Sequence, residues 1–428
     1  MPLSRFFKDC SASFVPLFAL TAVPVVSLVG VAVDYSRANA LKAAMQAALD
    51  STALAVSKSA ATSSAEQTQI DAAAYFNSLF NHPHAQNVSV TASYSNANGS
   101  QVVVSSSADI NTMFMGVMGF PKLGVGGSAT VSWGSTKLRV ALALDNTGSM
   151  NSYGKLPALK TATKNLLTTL KNAATKDGDV YVSIIPFNRD VNVKMNSSAV
   201  SADWIDWTQW DAKNGTCSKN YSTKSSCVSY GGTWTPKSHD TWTGCVMDRA
   251  QNEDTKNTTP VAGTTATMFP AEQYSSCPAA IQSLSYDWAA LNTKVDALYA
   301  TGKTNTTIGL AWAWQSLSEG SPLNPPAIDP NDPIPTKKII ILLTDGENTE
   351  NRWTTSTSSI DLRTQKACEN IKAAGVTLYT VLVMEGNASL LQGCASDATK
   401  YFYLTDANQL VTTFDQIGTQ LTKLHLSK

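Results

Sequence analysis

The sequence has no surplus of either charge: 32 Lys and Arg offset 32 Asp and Glu. Without a global field, nothing in the composition points to nucleic acid or to an acidic surface as a partner. None of its seven cysteines falls in a C-x-x-C pair, so a zinc cluster or a thioredoxin-like redox motif lacks its framework. G-x-S-x-G and H-E-x-x-H are also missing, which removes the serine-hydrolase elbow and the zinc-protease helix. Gly302-Lys303-Thr304 is no phosphate loop, because Ala297 stands where the earlier glycine is needed. Histidines number four, and His82 and His84, without a nearby cysteine or acid, read as surface-loop residues.

Charge is absent altogether between Ser11 and Val33, where Phe14, Val15, Leu17, Phe18, Leu20 and a series of valines dominate. Such a run is long enough to span a bilayer. The nearest A-x-A, Ala38-Asn39-Ala40, lies beyond Asp34 and Arg37, so residues 11–33 read as an uncleaved single-pass transmembrane helix. Arg5 and Lys8 place residues 1–10 in the cytoplasm and the rest of the chain outside. Cys10 reads as an ordinary juxtamembrane thiol. The other six cysteines, Cys217, Cys227, Cys245, Cys277, Cys368 and Cys394, all come after Asp145, and an even set in one region suggests disulfides in an oxidising compartment. Cys368 and Cys394, expected on neighbouring helices, are the pair most readily proposed.

At 428 residues the chain can hold two or three domains. From Asp34 a helical pattern continues through Ala38, Leu41, Met45, Ala48, Leu49, Thr52 and Val56. A second helix is expected over 66–80. Strands over 88–94 and 102–106, parted by Asn96-Ala97-Asn98-Gly99, read as a β-hairpin, with a third strand over 129–133. A membrane helix running into an amphipathic one resembles a pilin-type stem, and residues 34–134 are expected to form a small α+β stalk.

The stretch Lys137–Met150, KLRVALALDNTGSM, organises the remainder of the chain. Leu138 to Leu144, apolar apart from Arg139 and of strand length, gives way to Asp145, Thr147 and Ser149 at alternate positions, with Asn146 and Gly148 allowing a tight turn. Ligands of open α/β sheets bind beyond such strand ends. Gly302, Lys303, Thr304 and Asn305 in a loop, and a second apolar run, Ile339–Leu343, ending in Thr344-Asp345-Gly346-Glu347, have the character to reach the same point. Carboxylate and hydroxyl oxygens without thiolate or imidazole suit Mg²⁺, Mn²⁺ or Ca²⁺. The alternative is a plain strand-to-helix turn with Asp145 as a capping residue.

The three stretches together resemble the von Willebrand factor A domain and its metal-ion-dependent adhesion site, whose pattern is D-x-S-x-S, then Thr in a Gly-containing loop, then Asp ending a later strand. The resemblance assigns Asp145, Thr147, Ser149, Thr304 and Asp345 as metal ligands, with Mg²⁺ as the first expectation. The departure is Thr147 in place of serine; its hydroxyl is still a hard oxygen donor, so metal binding is expected to survive. The resemblance also implies a protein partner that offers a carboxylate to the ion.

Residues 135–428 accordingly read as a doubly wound, Rossmann-like α/β domain in which strands and helices alternate. Residues from about 192 to 283 break that alternation. They carry four of the six cysteines together with Trp204, Trp207, Trp210, Trp234 and Trp242, and read as a disulfide-rich insertion. Its tryptophans are either the core of a small module or a contact surface for glycan or protein.

The anchor, the stem and the C-terminal domain with TDGEN together resemble TadG-type proteins of bacterial tight-adherence (Flp) pilus systems. What this implies is a single-pass protein of the bacterial inner membrane, with its C-terminal domain in the periplasm or at the cell surface. It would work with pilus-assembly components as a divalent-metal-dependent adhesion or binding protein. The second reading is a structural envelope anchor in which the metal is incidental. Enzymatic activity is not expected: an aspartyl phosphatase needs a carboxylate where Thr147 stands.

Overall fold

The computed structural model describes residues 14–60, 63–95, 100–133, 136–174, 176–332 and 334–426. Arg5, Lys8, Cys10, the first residues of the expected span and the expected turn over 96–99 lie outside them. The chain divides into two compact units that part at Gly134 and Ser135.

The first unit begins with a single helix, α1 (Phe14–Val56), that is long and apolar enough to cross a membrane. Its early part turns Phe18, Leu20, Val25, Val26, Leu28 and Val29 outward. Its later part buries one stripe, Ala38, Leu41, Met45, Ala48, Leu49, Thr52 and Val56, at the three- and four-residue spacing of one helix face. The stripe packs on Ala72 and Phe76 of α2 (Ala65–Leu79) and on Val102, Val104, Ala108 and Ile110. Those four residues alternate along β2 (Ser100–Asn111), the centre of an antiparallel sheet with β1 (Ala85–Ser95) and β3 (Lys122–Trp133). The third strand starts seven residues before the expected Ala129, since Gly124, Gly126 and Gly127 carry no side chain from which alternation could be read.

The second unit opens with β4 (Lys137–Asp145), α3 (Lys155–Ala173) and β5 (Val180–Phe187). The expected insertion comes next, made of short pieces: β6 (Val191–Asn192), β7 (Ile205–Asp206), α4 (Thr208–Lys213), β8 (Gly215–Cys217), α5 (Lys224–Ser229), β9 (Trp234–Pro236), β10 (Cys245–Val246), β11 (Phe269–Glu272) and β12 (Gln282–Ser285). The unit then continues through α6 (Trp288–Asp296), α7 (Thr306–Ser316), β13 (Thr336–Thr344), α8 (Thr357–Ala373), β14 (Thr377–Val383), α9 (Ala388–Cys394), β15 (Tyr401–Leu404) and α10 (Gln409–Leu426).

Five of these strands run parallel in the spatial order β5-β4-β13-β14-β15. This is a doubly wound sheet whose strand order reverses between β4 and β13, the point where such sheets leave a crevice. Successive side chains of β4 serve opposite faces. Ala141 and Ala143 face a core shared with Trp312 of α7 and Ile371 of α8, whereas Leu138, Val140, Leu142 and Leu144 face Leu159 and Leu166 of α3 and Phe414 of α10. Lysine and threonine ordinarily cover the outer face of an amphipathic helix, yet Lys155 and Thr163 of α3 are buried.

The insertion is not a loop apart from the sheet. β12 and β6 pair antiparallel with β5, and β10, β11 and β7 extend the sheet from β6. Pieces of two to four residues are too short to display a strand's alternation, which explains why the sequence shows no period there. Trp204, Trp210 and Trp242 are core residues, the first of the two alternatives for the insertion's tryptophans. Disulfides join Cys217 to Cys227, Cys245 to Cys277, and Cys368 on α8 to Cys394 on α9.

Candidate metal centre

At the crevice between β4 and β13, Asp145 is the last residue of β4 and Asp345 comes directly after β13, and both are fully buried. The backbone N–H of Thr147 donates to one carboxylate oxygen of Asp145 (2.8 Å) and the Thr344 hydroxyl donates to the other (2.6 Å). Ser149 Oγ donates to Asp345 Oδ1 at 2.7 Å and lies 2.9 Å from Thr147 Oγ1. Asp145, Thr147, Ser149 and Asp345 are thus brought together in one hydrogen-bonded set.

Thr304 arrives with its loop. Gly148 N–H donates to the Gly302 carbonyl (3.1 Å), Thr301 N–H donates to the Asn146 carbonyl (2.7 Å), and Asn146 Nδ2 donates to the Tyr299 carbonyl (2.9 Å). On the other side, Thr304 N–H donates to Thr349 Oγ1 (2.8 Å) and its carbonyl accepts from Thr349 N–H (2.9 Å). The second loop is therefore laced to the first and to the third. Gly302 has φ +80°, and a Cβ there would come within 2.6 Å of Asn188 Nδ2, so glycine is required both for the turn and for the close approach. Asn348 completes the join: its Oδ1 accepts from both the N–H and the hydroxyl of Thr306, at 2.8 Å each, at the start of α7.

Three residues that sequence reasoning did not single out shape this centre. Lys155 is 2% exposed, and its ammonium donates to Asp345 Oδ2 at 2.7 Å. Thr344 holds Asp145, and Thr349 holds Thr304. For Lys155 the available signal was a lysine at the start of a helix just after the D-x-T-x-S turn; for the threonines it was their places beside Asp345 in TDGENT.

The donor set fits a hard divalent cation. Two carboxylates and three hydroxyls, all oxygen, match Mg²⁺, Mn²⁺ or Ca²⁺ in chemistry. Burial, and next the charge of Asp345, push the carboxyl of Asp145 up to about 7. Its negative charge is therefore poorly compensated, which is the condition a bound cation relieves. No cluster of three or more His, Cys, Asp or Glu suited to a metal exists among the described residues, so any ion here depends on the hydroxyls.

A second polar constellation lies next to it. Arg189, just beyond β5, bonds Asp190 (3.1 Å), Glu350 (2.9 Å) and Glu272, and stacks over the ring of Tyr274 at 4.0 Å. Burial, and then the charge of Glu272, raise the Asp190 carboxyl well above the usual range. Asp248, buried in the insertion, accepts from Asn305 Nδ2 (2.9 Å) and from Arg352 N–H (3.2 Å), and burial raises it to about 6. These contacts bind the insertion to the second and third loops.

Comparison with known proteins agrees with both halves of this description. Residues 12–74 match the family described as "Putative Flp pilus-assembly TadE/G-like", and residues 255–416 match the von Willebrand factor type A domain. The second match includes Thr304 and Asp345 but not Asp145, Thr147 or Ser149, which precede it in sequence, Asp145 as the end of a strand in the same sheet. No curated protein matches the sequence. Among solved structures, the pilus adhesin SpaC of Lactobacillus rhamnosus GG is 14% identical over 81% of this chain and 36% of its own, with TM-score 0.39. The vWF domain of the type V pili tip protein Mfa5 of Porphyromonas gingivalis is 11% identical over 69% of this chain and 97% of its own, with TM-score 0.38. Proximal thread matrix protein 1 of the mussel byssus, in a form with a zinc-occupied MIDAS motif, is 14% identical over 67% of this chain and 46% of its own, with TM-score 0.34. The chain thus spans less than half the length of SpaC and of the byssus protein. It joins a TadE/G-like N-terminal segment to a von Willebrand factor type A domain.

Proposed function

We propose that the chain is a membrane-tethered, non-enzymatic binding protein of a bacterial tight-adherence pilus system, with a divalent cation held by Asp145, Thr147, Ser149, Thr304 and Asp345. The observation that carries this reading is the convergence of three sequence-distant loops on two buried carboxylates at the sheet's switch point. Mg²⁺ suits the donors best, with Mn²⁺ and Ca²⁺ as alternatives. A bound ion would supply a Lewis-acid position open to a carboxylate from a protein partner. Ser149 and Thr147 would orient towards it, and the laced loops would keep the site rigid. The uncharged span from Ser11 to Val33, preceded by Arg5 and Lys8, supports an inner-membrane anchor with the second unit outside the cytoplasm.

Titration of the full chain in detergent with Mg²⁺ or Mn²⁺ by calorimetry tests the assignment. Asp145→Ala should abolish the binding heat, and unchanged binding in that variant refutes it. The ion pair between Lys155 and Asp345 favours a second reading, in which an internal ammonium already serves Asp345 and the chain is a structural anchor. In that case removing the stem abolishes piliation, whereas Asp345→Ala leaves it intact.

A further inference from the structure

Between β2 and β3 the chain makes a tip, Thr112–Pro121, that contains no charged residue. Met113, Phe114, Val117, Met118 and Phe120 are all exposed in it, Val117 to 91%. Water-soluble loops seldom gather five large apolar side chains so closely. The tip is well formed: a 3-10 turn over Met115–Met118 ends on Gly119 at φ +91°, and the Thr112 hydroxyl donates to the Phe120 carbonyl at 2.6 Å. Its exposure is therefore a property of a built element.

The place where this tip is fastened identifies what covers it. Asp34, the first charged residue after the uncharged run, is buried, and its carboxylate accepts the backbone N–H groups of Met113, Phe114 and Met115, each at 2.8 Å. One turn earlier on the same helix, a Cβ on Gly30 would stand 2.5 Å from Phe114 Cβ, so glycine is what lets the tip lie against the helix. Gly30 lies about 6 Å deeper along the axis than Asp34, at a rise of about 1.5 Å per residue. The tip is thus bolted beside the last turn of the stretch that crosses the bilayer. A membrane that covers residues 11–33 also reaches Phe114.

We propose that the 112–121 tip is a second membrane contact, dipping its apolar side chains into the interfacial layer of the leaflet from which α1 emerges. Side chains of this kind bury shallowly at the boundary between headgroups and acyl chains, and Lys122, just past Pro121, is placed to meet headgroup phosphates. One helix alone is free to tilt and rotate in a bilayer. A rigid second contact sets the angle at which the stem leaves the membrane.

This proposal rests on the anchor reading of α1, and the test separates the two. Full-length protein carrying Cys10→Ser and one of Val117→Cys, Leu28→Cys or Tyr75→Cys is labelled with an environment-sensitive fluorophore and reconstituted into phosphatidylethanolamine–phosphatidylglycerol vesicles. Quenching is read with nitroxide near the top of the acyl chain, and with iodide on both sides of the bilayer. The Leu28→Cys label should be quenched by lipid nitroxide and the Tyr75→Cys label by iodide. The Val117→Cys label should lose emission to the shallow nitroxide and be shielded from iodide, and adding Gly30→Leu, which pushes Phe114 off the helix, should reduce that loss. Iodide quenching at Val117→Cys with lipid quenching at Leu28→Cys overturns the tip contact and leaves the anchor standing. Shielding from both quenchers places protein over the tip and overturns it too. Absence of lipid quenching at both sites overturns both.

Discussion

Two groups of carboxylates sit at the carboxyl edge of the same sheet, and they are built to opposite ends. Around Arg189, three acids, Asp190, Glu272 and Glu350, converge on one guanidinium that bonds all of them. At the switch point, two acids, Asp145 and Asp345, are ringed by hydroxyls, and a single ammonium reaches one oxygen of Asp345. The first group has its cation built in. The second leaves Asp145 held by a backbone N–H and a hydroxyl alone, with no cationic partner among the described residues, beside hydroxyl oxygens with lone pairs to spare. The number of carboxylates therefore does not make a cation site; whether each already touches a cation does.

Each group can be altered without the other. Removing the built-in cation should have the largest effect: Arg189→Met leaves three acids without their counter-ion and should lower unfolding free energy in urea by about 3 kcal/mol or more. It should leave divalent binding within about threefold of wild type, roughly 0.7 kcal/mol. Loss of metal binding together with stability would show that the two groups act as one.

Next in size is a pH effect. Asp248 is raised to about 6 in the folded chain from 3.8. The native state therefore holds a proton between those values that the unfolded chain releases. Its contribution to stability is present below about pH 4 and lost as pH rises through about 6, to a total of up to about 3 kcal/mol. Asp248→Asn should remove that share of the slope when denaturation is compared at several pH values. Parallel curves for the two proteins would show that Asp248 is not shifted.

A smaller change probes the switch-point group itself. Lys155 occupies one oxygen of Asp345 and repels an incoming cation, so Lys155→Met should tighten Mg²⁺ or Mn²⁺ binding by about tenfold, roughly 1.4 kcal/mol. It should also destabilise the metal-free protein. Weaker metal binding in this variant would make the ammonium a support of the site instead of a competitor. The smallest effect belongs to Thr147→Ser, which keeps the oxygen and removes a methyl; affinity should stay within about threefold, or roughly 0.7 kcal/mol.

Much of this edge was legible in the chain. Leu138–Leu144, apolar apart from Arg139, and Ile339–Leu343 are runs of buried parallel strands, and each halts at or next to an acid, so Asp145 and Asp345 could be placed at strand ends from residue order. The loop Gly302-Lys303-Thr304-Asn305 had the character to reach this point, but only the family pattern picked out Thr304 within it, and nothing in the loop itself announces that its backbone is laced to Thr349. Lys155 was illegible for another reason. A lysine at the first turn of an amphipathic helix counts as polar surface, and its carboxylate partner is 190 residues away in sequence. The insertion defeated periodicity because its strands are too short to show any, although Trp204, Trp210 and Trp242 reach the core. Likewise, the apolar run at Met113–Phe120 could be seen in sequence, but not that Asp34 and Gly30 hold it beside α1.

If side-chain oxygens from three loops grip one divalent ion, that ion can be counted. Mn²⁺ bound to the full-length protein, measured by electron paramagnetic resonance after removal of free metal, should amount to one ion per chain in the wild type. It should fall to none in both Asp145→Ala and Asp345→Ala. A bound ion that persists in both variants would contradict the account.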